Sequence, residues 1–437
     1  MKTLHVFHNS DLKNGVDKTT CTLIHMLQKS GGTPIATVPG EGDVSEYLSA
    51  HDIPYRIIPY SCCNSDASRA LIHYLGDSSR QAAAMTDFIQ QVKPDIIHIN
   101  TGHLLHAGIA AAQCHIPAIW HIHAPFDNDL KRYQQSIGLE GYRWILQNLS
   151  SQVIGVSNDV TKSICKHVPP ERVKTLYNGV DVAALNNDAN ISPSNIRKEL
   201  NLPEDAELVI GVGRISAQKD FATFARVARQ ITKTRTNTFF IIAGPKQEPE
   251  AVQLLMEELE DPLLNQKLFT LGPRSDVPAL LAQSNAFLST AIFEGQGVAA
   301  LEAMALHTPV IAMACQGLRE CVNDGVDGLL VPPGDEAAAA RAVISTLSDQ
   351  QLSSNLCKMG FESVSTNFSS EKYGREFVTI AEEAISTGAT VASNDALAVI
   401  KGLLSEIDKT EQRLMHFEQQ TNFQRFKLLL WHSFHPS

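Results

Sequence analysis

Two glutamates, separated by seven residues, flank a glycine turn in the second half of the chain. Glu294 precedes Gly295 and Gly297, and Glu302 lies in the Ala/Leu-rich run that follows. Glycine permits positive φ values and a close approach of the backbone to a ligand. The run after Gly297 predicts a helix whose free N–H groups suit a phosphate, while the carboxylates suit hydroxyl groups. The alternative is a glycine turn that caps a buried helix, with both glutamates solvated.

Two cations lie at a predicted strand end and a predicted helix start earlier in the second half of the chain. Arg214 ends the strand-like segment 208–214, and Lys219 stands at the start of the next predicted helix. An arginine offers a bidentate fork to a diphosphate, and a lysine offers a compact charge. Cations at exposed loop ends are also ordinary. Together with carboxylates at the ends of one predicted sheet, however, they describe a site for a nucleotide sugar.

A pair of histidines marks the first half of the chain. His121 and His123 lie in the strand-like segment 117–125 and share a face, because side chains alternate along a strand. His123 is the candidate site residue, since it stands at the carboxyl end of the strand, where parallel sheets bind ligands. A hydrogen-bonded structural role and a metal-binding role are the alternatives, although no third ligand is evident nearby.

Strands and helices alternate along both halves, which predicts an α/β fold. Each half indicates a doubly wound, Rossmann-like parallel sheet, and two such domains would face a central cleft. The strand-like segments are 4–8, 34–38, 95–100, 117–125 and 153–158, followed by 208–214, 239–245, 268–272 and 286–290. The first strand is followed by a loop that contains Gly15 but lacks the G-x-G-x-x-G fingerprint, which disfavours a dinucleotide.

The length of 437 residues exceeds one hydrophobic core and predicts two domains with an appendage. We expect an N-terminal domain over 1–182, a polar linker over 183–206 and a second domain over 207–386, whose last helix crosses back to the first. We expect residues 387–437 to form a helical tail. Packing on the protein's own domains, a coiled-coil contact and an interfacial membrane helix are three open interpretations of the tail.

Composition excludes several other classes of protein. The formal net charge of −11 argues against nucleic acid as a partner. No signal peptide and no apolar run of about 18 residues is evident, so we expect a cytoplasmic protein, with contact at the inner face of the membrane left open. The eight cysteines show no zinc spacing and predict reduced thiols, with Cys62-Cys63 as an alternative redox pair.

These motifs together resemble the retaining glycosyltransferases of family 4, which have the GT-B fold. The resemblance extends over residues 1–386 and is strongest over 207–335. It rests on Gly213-Arg214 with Lys219, on the segments 294–305, 309–312 and 325–335, and on Asn178-Gly179-Val180-Asp181 and Val156-Ser157. Two positions depart from the pattern. Asn14 and His307 stand where the family usually has glycines, and His307 is expected to need a left-handed backbone.

The resemblance implies a role for each site residue. Arg214 and Lys219 would bind the donor diphosphate, Glu302 the ribose, and Glu294 the sugar hydroxyls. His123 would contact the transferred sugar from the first domain. The implied catalytic residues are Glu294, His123, Arg214 and Lys219. The predicted donor-binding residues are Gly15, Arg214, Lys219, Gly244, Arg274, Glu294, Gly295, Gln296, Gly297, Val298 and Glu302.

The implied activity is transfer of a hexose-type sugar, with retention, from a UDP or GDP sugar to a saccharide, lipid-linked or small-molecule acceptor. We expect no cofactor and no metal, because two cations and a helix N-terminus would neutralise the diphosphate and no Asp-x-Asp motif is present. A GT-B nucleotide-sugar epimerase and a non-catalytic sugar-binding or partner-binding relative are the alternatives. An NAD-dependent oxidoreductase is disfavoured because neither half has the full glycine fingerprint. Oligomerisation through the tail stays open.

Overall fold

The computed structural model describes most of the two predicted domains. The described residues are 1–12, 15–60, 71–102, 104–125, 138–191 and 195–388. Asn14, the Cys62-Cys63 pair and the tail beyond residue 388 lie outside them. The predictions made for these positions therefore stay predictions.

Seven parallel strands form the first sheet, in the order β3-β2-β1-β4-β5-β6-β7. The reversal of strand order beside β1 is characteristic of a doubly wound fold. The strands are β1 (Lys2–Val6), β2 (Thr33–Val38), β3 (Tyr55–Ile57), β4 (Ile96–Asn100), β5 (Ala118–Ile122), β6 (Gln152–Gly155) and β7 (Val173–Thr175). The helices are α1 (Gly15–Lys29), α2 (Asp43–Ala50), α3 (Leu71–Val92), α4 (Leu105–Gln113), α5 (Gly138–Leu149) and α6 (Asn158–Cys165).

Six parallel strands form the second sheet, in the order β10-β9-β8-β11-β12-β13. The strands are β8 (Glu207–Val212), β9 (Thr238–Ala243), β10 (Leu268–Gly272), β11 (Ala286–Ser289), β12 (Val310–Met313) and β13 (Leu329–Val331). The helices around it are α7 (Val182–Ile191), α8 (Ile196–Glu199), α9 (Phe221–Thr232), α10 (Pro249–Leu259), α11 (Val277–Ala282), α12 (Val298–Ala305), α13 (Leu318–Cys321), α14 (Glu336–Ser348), α15 (Gln350–Asn367) and α16 (Ser370–Thr387). The predicted α/β fold of two Rossmann-like sheets is confirmed.

Side-chain caps explain where several of these helices begin. Ser157 accepts a hydrogen bond from the backbone N–H of Val160 at the start of α6. Asp220 accepts one from Thr223 at the start of α9. A short oxygen-bearing side chain at this position satisfies an N–H group that has no partner within its helix. The starts of α6 and α9 are therefore encoded locally.

The stretch 183–206, which its polar composition predicts to be a linker, contains helices α7 and α8. Ile196 of α8 is fully buried in the core of the second domain. Leu185 and Ala189 of α7 pack against the same core. The stretch is thus polar on its exposed side while its apolar residues extend the second domain.

Helix α16 lies against the first sheet although it follows the second domain in the chain. Tyr373 and Phe377 pack with Leu23 and Leu27 of α1 and with Ile119 of β5. Gly374 leaves room for this contact, because a Cβ there would lie 2.8 Å from the Cβ of Met26. The apolar face of the last helix therefore joins the C-terminal part of the described chain to the first domain.

A row of buried histidines lies beneath α16 on neighbouring strands. Thr3 Oγ1 is 2.8 Å from His5 Nε2, and His5 Nδ1 is 3.0 Å from His98 Nδ1. His98 Nε2 is in turn 3.1 Å from His121 Nδ1. The ring of Phe377 lies 5.1 Å from that of His98. Burial lowers the pKa of His5 to about 3 and moves the pKa of His98 and His121 in the same direction, so the row is neutral.

The buried histidines make folding stability depend on pH. His106 on α4 is 2% exposed, and burial lowers its pKa from 6.5 to about 3. Between these values the unfolded chain binds the extra proton, so stability falls as the pH falls. At pH 5 the loss is about 2 kcal/mol for one such histidine. Urea unfolding at pH 7 and pH 5 should show a loss smaller by about this amount in His106→Leu; an equal loss would contradict the assignment.

No helix in the described part of the chain is long and apolar enough to cross a membrane.

Candidate active site

The glycine turn leads directly into α12, as the sequence predicts. Gly297 is the N-cap of the helix and has a φ of +93°, in the left-handed region that favours glycine. A Cβ there would also lie 2.5 Å from Leu318 Cδ2. At the other end of the helix His307 has a φ of +57°, and its ring stacks on Phe361 at 4.4 Å. The expected left-handed geometry at His307 is confirmed.

Gly295 serves a purpose that differs from the one expected. Its φ is not positive. A Cβ on Gly295 would overlap the backbone carbonyl oxygen of His123, and it would lie 3.0 Å from the carbonyl carbon. Gly295 therefore allows the glycine turn after Glu294 to approach the backbone of the first domain. Only a hydrogen at this position fits the contact.

Lys219 and Glu294 form an ion pair between Lys219 Nζ and Glu294 Oε1. The lysine side chain is 18% exposed and the glutamate side chain is 10% exposed, so both are mostly removed from water. Gln218 donates from Nε2 to Glu294 Oε2 at 3.3 Å and to the carbonyl oxygen of Phe293 at 3.1 Å. The structure thus brings together two of the residues to which the sequence assigns catalytic roles.

Two glycines, one after β8 and one after β9, leave room for the Lys219 side chain and for the loop that carries it. A Cβ on Gly213 would lie 2.8 Å from Lys219 Cε, so the lysine stem passes directly over this glycine. Gly244 has a φ of +155°, and a Cβ there would overlap the carbonyl oxygen of Gly213. Gly244, predicted as a donor-binding residue, therefore packs behind the loop that carries Arg214 and Lys219.

The two predicted arginines differ in their surroundings. Arg214 Nη1 donates to Gln247 Oε1 at 2.6 Å, near the exposed end of β8. Among the described residues the partners of Arg274 are Asp276 and Glu199, each contacted at 2.8 Å. These carboxylates raise the pKa of Arg274, which is held between two acids instead of beside Lys219. Donor binding by Arg274 would require it to leave these partners.

Glu302 lies about one turn into α12 and is half-buried. Burial raises the pKa of its carboxyl group, while the positive charges of Lys18 and Lys219 act in the opposite direction. Lys18 belongs to α1 of the first domain, so charges from both domains reach Glu302. The charges of Lys18 and Lys219 therefore both favour the ionised form of this carboxyl group.

His123 directly follows β5 and faces the cleft from the first domain. Its Nε2 donates to Asn100 Oδ1 at 2.8 Å, and its ring lies 4.4 Å from the ring of His121. Burial lowers the pKa of His123 to about 3, with further lowering from His98 and His8. The imidazole is therefore neutral at physiological pH. His121, by contrast, is fully buried and bonded to His98.

Val298 and Gln296, two predicted donor-binding residues of the second domain, lie against the first half of the chain. A Cβ on Gly15, the first residue of α1, would lie 4.0 Å from the Cβ of Val298. Gln296 accepts a hydrogen bond from Asn178 N at 2.7 Å and donates one to Asn178 O at 3.1 Å. Both polar atoms of the buried Gln296 side chain are thus hydrogen-bonded to the backbone of the segment that leads into the second domain.

A carboxylate that sequence reasoning missed also bridges the cleft. Glu320 on α13 accepts hydrogen bonds from the backbone N–H groups of Asn158 and Asp159, both at 2.7 Å. It accepts a third from the Tyr177 hydroxyl at 2.6 Å, and burial together with this bond raises the pKa of Tyr177. Acceptance from a helix N-terminus is favourable for a carboxylate.

Gln218 and Asn100 are the other site residues that sequence reasoning missed. Both have neutral amide side chains. Gln218 is hydrogen-bonded to Glu294, and Asn100 is hydrogen-bonded to His123. Asn100 had one usable signal, since it ends a strand at the predicted ligand edge. Within the described ranges, no cluster of three or more His, Cys, Asp or Glu side chains is arranged to hold a metal ion.

Two family models match the two halves of the chain. The model described as Glycosyltransferase Family 4 matches residues 13–184, and that described as Glycosyl transferases group 1 matches residues 193–362. Facing Rossmann-like domains with a charged glycine loop at the cleft define the class of GT-B glycosyltransferases. The chain belongs to the group 1, family 4 glycosyltransferases of that class. It is therefore an enzyme that transfers a sugar.

Curated relatives agree with this membership. An uncharacterized glycosyltransferase of Methanocaldococcus jannaschii is 26% identical over 305 residues, which are 66% of this chain and 75% of the relative. The UDP-Gal:alpha-D-GlcNAc-diphosphoundecaprenol alpha-1,3-galactosyltransferase of Escherichia coli is 27% identical over 280 residues, which are 60% of this chain and 69% of the relative.

Solved structures share the fold over most of the chain. Anabaena HepE in complex with UDP and glucose has a TM-score of 0.73 and 20% identity, covering 88% of this chain and all of HepE. The glycosyltransferase WaaG, involved in lipopolysaccharide biosynthesis, has a TM-score of 0.64 and 14% identity, covering 88% of this chain and 99% of WaaG. At these identities the likeness concerns the fold.

Proposed function

We propose that this glycosyltransferase is a retaining enzyme that moves a hexose-type sugar from a UDP or GDP sugar to a hydroxyl group. The acceptor is a saccharide, a lipid-linked sugar or a small molecule. The observation that carries the proposal is the ion pair of Lys219 and Glu294 beside the N-terminus of α12. Lys219, Glu294 and Gly297, the N-cap of α12, line one pocket. The first N–H groups of a helix have no acceptor within the helix and are available to a ligand.

The charges in this region suit the two parts of a nucleotide sugar. Lys219 and Arg214, with the positive end of the α12 dipole, stabilise the diphosphate as it departs. Glu294 accepts hydrogen bonds from sugar hydroxyls, and Glu302 accepts them from the ribose. In this proposal the two cations and the helix do what a metal ion does in other sugar transferases, so the reaction needs no metal.

Retention follows when the acceptor attacks the face from which the phosphate departs. A phosphate oxygen of the leaving group then takes the acceptor proton, so the protein needs no separate general base at that face. Two of the similar proteins support a uridine diphosphate donor. The Escherichia coli relative is named for UDP-Gal, and the HepE structure contains UDP and glucose. The proposal also includes peripheral membrane contact or oligomerisation through residues 387–437, of which 389–437 lie outside the described residues.

A panel of nucleotide sugars scored by thermal shift tests the donor assignment. A donor present at 100 times its Kd stabilises the folded protein by about 2.7 kcal/mol. We expect a clear shift with UDP sugars or GDP sugars, and the same shift in the presence of EDTA. Glu302→Gln should weaken binding of the nucleoside diphosphate about tenfold, the equivalent of one lost hydrogen bond. Glu371→Gln, at an exposed position on α16, is the control.

Acceptor dependence and product analysis complete the test. Release of free nucleotide only when an acceptor hydroxyl is present supports transfer, whereas a changed sugar without an acceptor indicates an epimerase. The anomeric configuration of the product, read by NMR, tests retention directly. No shift with any nucleotide sugar, or a shift that EDTA abolishes, would contradict the proposed site.

A further inference from the structure

Asn100 and His123 end neighbouring parallel strands at the cleft. Asn100 is the last residue of β4 and is fully buried, and His123 immediately follows β5. Beyond Asn100 the backbone turns sharply, since Thr101 has a φ of +124°, a region that residues with a side chain rarely adopt. Strain of this kind clusters at functional sites.

The contact between the two side chains defines where the imidazole proton lies. An amide carbonyl oxygen has no hydrogen to donate, so His123 Nε2 is the donor in its 2.8 Å contact with Asn100 Oδ1. A neutral imidazole carries one ring proton, and that proton is then on Nε2. The other nitrogen, Nδ1, consequently has a lone pair and acts as an acceptor.

The surroundings favour the neutral ring. The titratable groups that act on His123 are His98 on β4, His8 after β1 and His121 on its own strand, and all three are histidines whose charged forms would repel a charged His123. On the side of the second domain its neighbour is the backbone of Gly295. The ring of His121, tied to His98, packs against it at 4.4 Å.

We propose that Asn100 is a positioning residue that fixes the tautomer of His123, so that Nδ1 accepts a hydrogen bond from a hydroxyl group of the transferred sugar. This inference rests on the proposed function. It also narrows the substrate class, because a lone pair attracts a hydroxyl group and repels a carboxylate. A neutral sugar is accepted at this point of the site, and a sugar that presents a carboxylate there is rejected.

The tautomer is measurable without substrate, by long-range proton–nitrogen NMR on protein with ¹⁵N-labelled histidine rings. The His123 signals are assigned by their loss in His123→Gln. We expect the Nε2–H form in the wild type and a gain of the Nδ1–H form in Asn100→Leu. The Nδ1–H form in the wild type would overturn the proposal, whatever becomes of the proposed function.

Kinetics test the consequence for the sugar. Asn100→Leu should lower kcat/KM for the nucleotide sugar about tenfold while the Kd of the nucleoside diphosphate without sugar is unchanged. Asn100→Asp also offers an acceptor to Nε2 and should restore the Nε2–H form. Asn148→Leu, which removes an amide on α5, is the matched control. Equal losses of sugar and nucleotide binding in Asn100→Leu, or none, would overturn the positioning role.

Discussion

Replacing Lys219 by methionine is expected to reduce the rate of sugar transfer about 100- to 1,000-fold, the range found when one group that stabilises developing charge is removed. The lysine is 18% exposed and pairs with Glu294, so its charge acts in a poorly solvated region. Its loss removes the cation next to the departing diphosphate. It also leaves Glu294 as a buried carboxylate without its partner. Initial rates with saturating donor and acceptor measure the effect.

Two further variants separate charge from folding. Lys233→Met removes an exposed lysine at the C-terminal end of α9, the helix that begins just after Lys219. This variant should keep wild-type activity. The double variant Lys219→Met/Glu294→Gln should be more stable than Lys219→Met alone, because no unpaired carboxylate stays buried, yet it should be as inactive. Wild-type turnover in Lys219→Met, or in Glu294→Gln, would refute the role of that residue.

Gly295→Ala is expected to lower kcat/KM about 100-fold, since displacement of a site by about 1 Å has effects of this size. The added methyl group would overlap the carbonyl oxygen of His123. Both sides of this contact are backbone, so no flexible side chain moves aside to relieve it. The loop with Glu294 must shift relative to the first domain, which separates the groups that hold the sugar.

The matched control for this variant is Gly40→Ala. A Cβ at Gly40 would lie 3.3 Å from the Ser10 hydroxyl oxygen, which belongs to a side chain that rotates away. Gly40→Ala should retain activity. In Gly295→Ala, binding of a nucleoside diphosphate should persist, because Lys219 and Glu302 both belong to the second domain. Unchanged turnover in Gly295→Ala would show that the close approach is not needed.

Gly295 and Gly297 illustrate how far a glycine motif is interpretable from the sequence. The motif correctly predicts a helix start at Val298, because a glycine before an Ala/Leu-rich run is a local signal. It does not reveal that only Gly297 has a positive φ while Gly295 packs against another domain. The positive φ of Gly297 and the close packing of Gly295 both require a residue without a side chain. The sequence shows only that both residues are glycines.

The partners of polar side chains were the least predictable part of the site. Gln296 and Arg274 belong to the predicted donor-binding set, yet the structure pairs them with Asn178 and with two carboxylates. Such contacts join positions far apart in the chain, which periodicity and spacing do not relate to one another. The roles assigned to these two residues stay predictions.

The class of fold, the helix and strand ends that carry the site, and the family were all predictable from the amino-acid sequence. These follow from local information, namely hydrophobic periodicity, caps and motifs of fixed spacing. Only the tertiary structure shows that Lys219 pairs with Glu294, that Asn100 is hydrogen-bonded to His123, and that Glu320 bridges the two domains. Each of these contacts depends on how strands are ordered in a sheet and how two sheets face each other. Burial then sets the charge states, because the loss of water that keeps His123 neutral exists only in the folded chain.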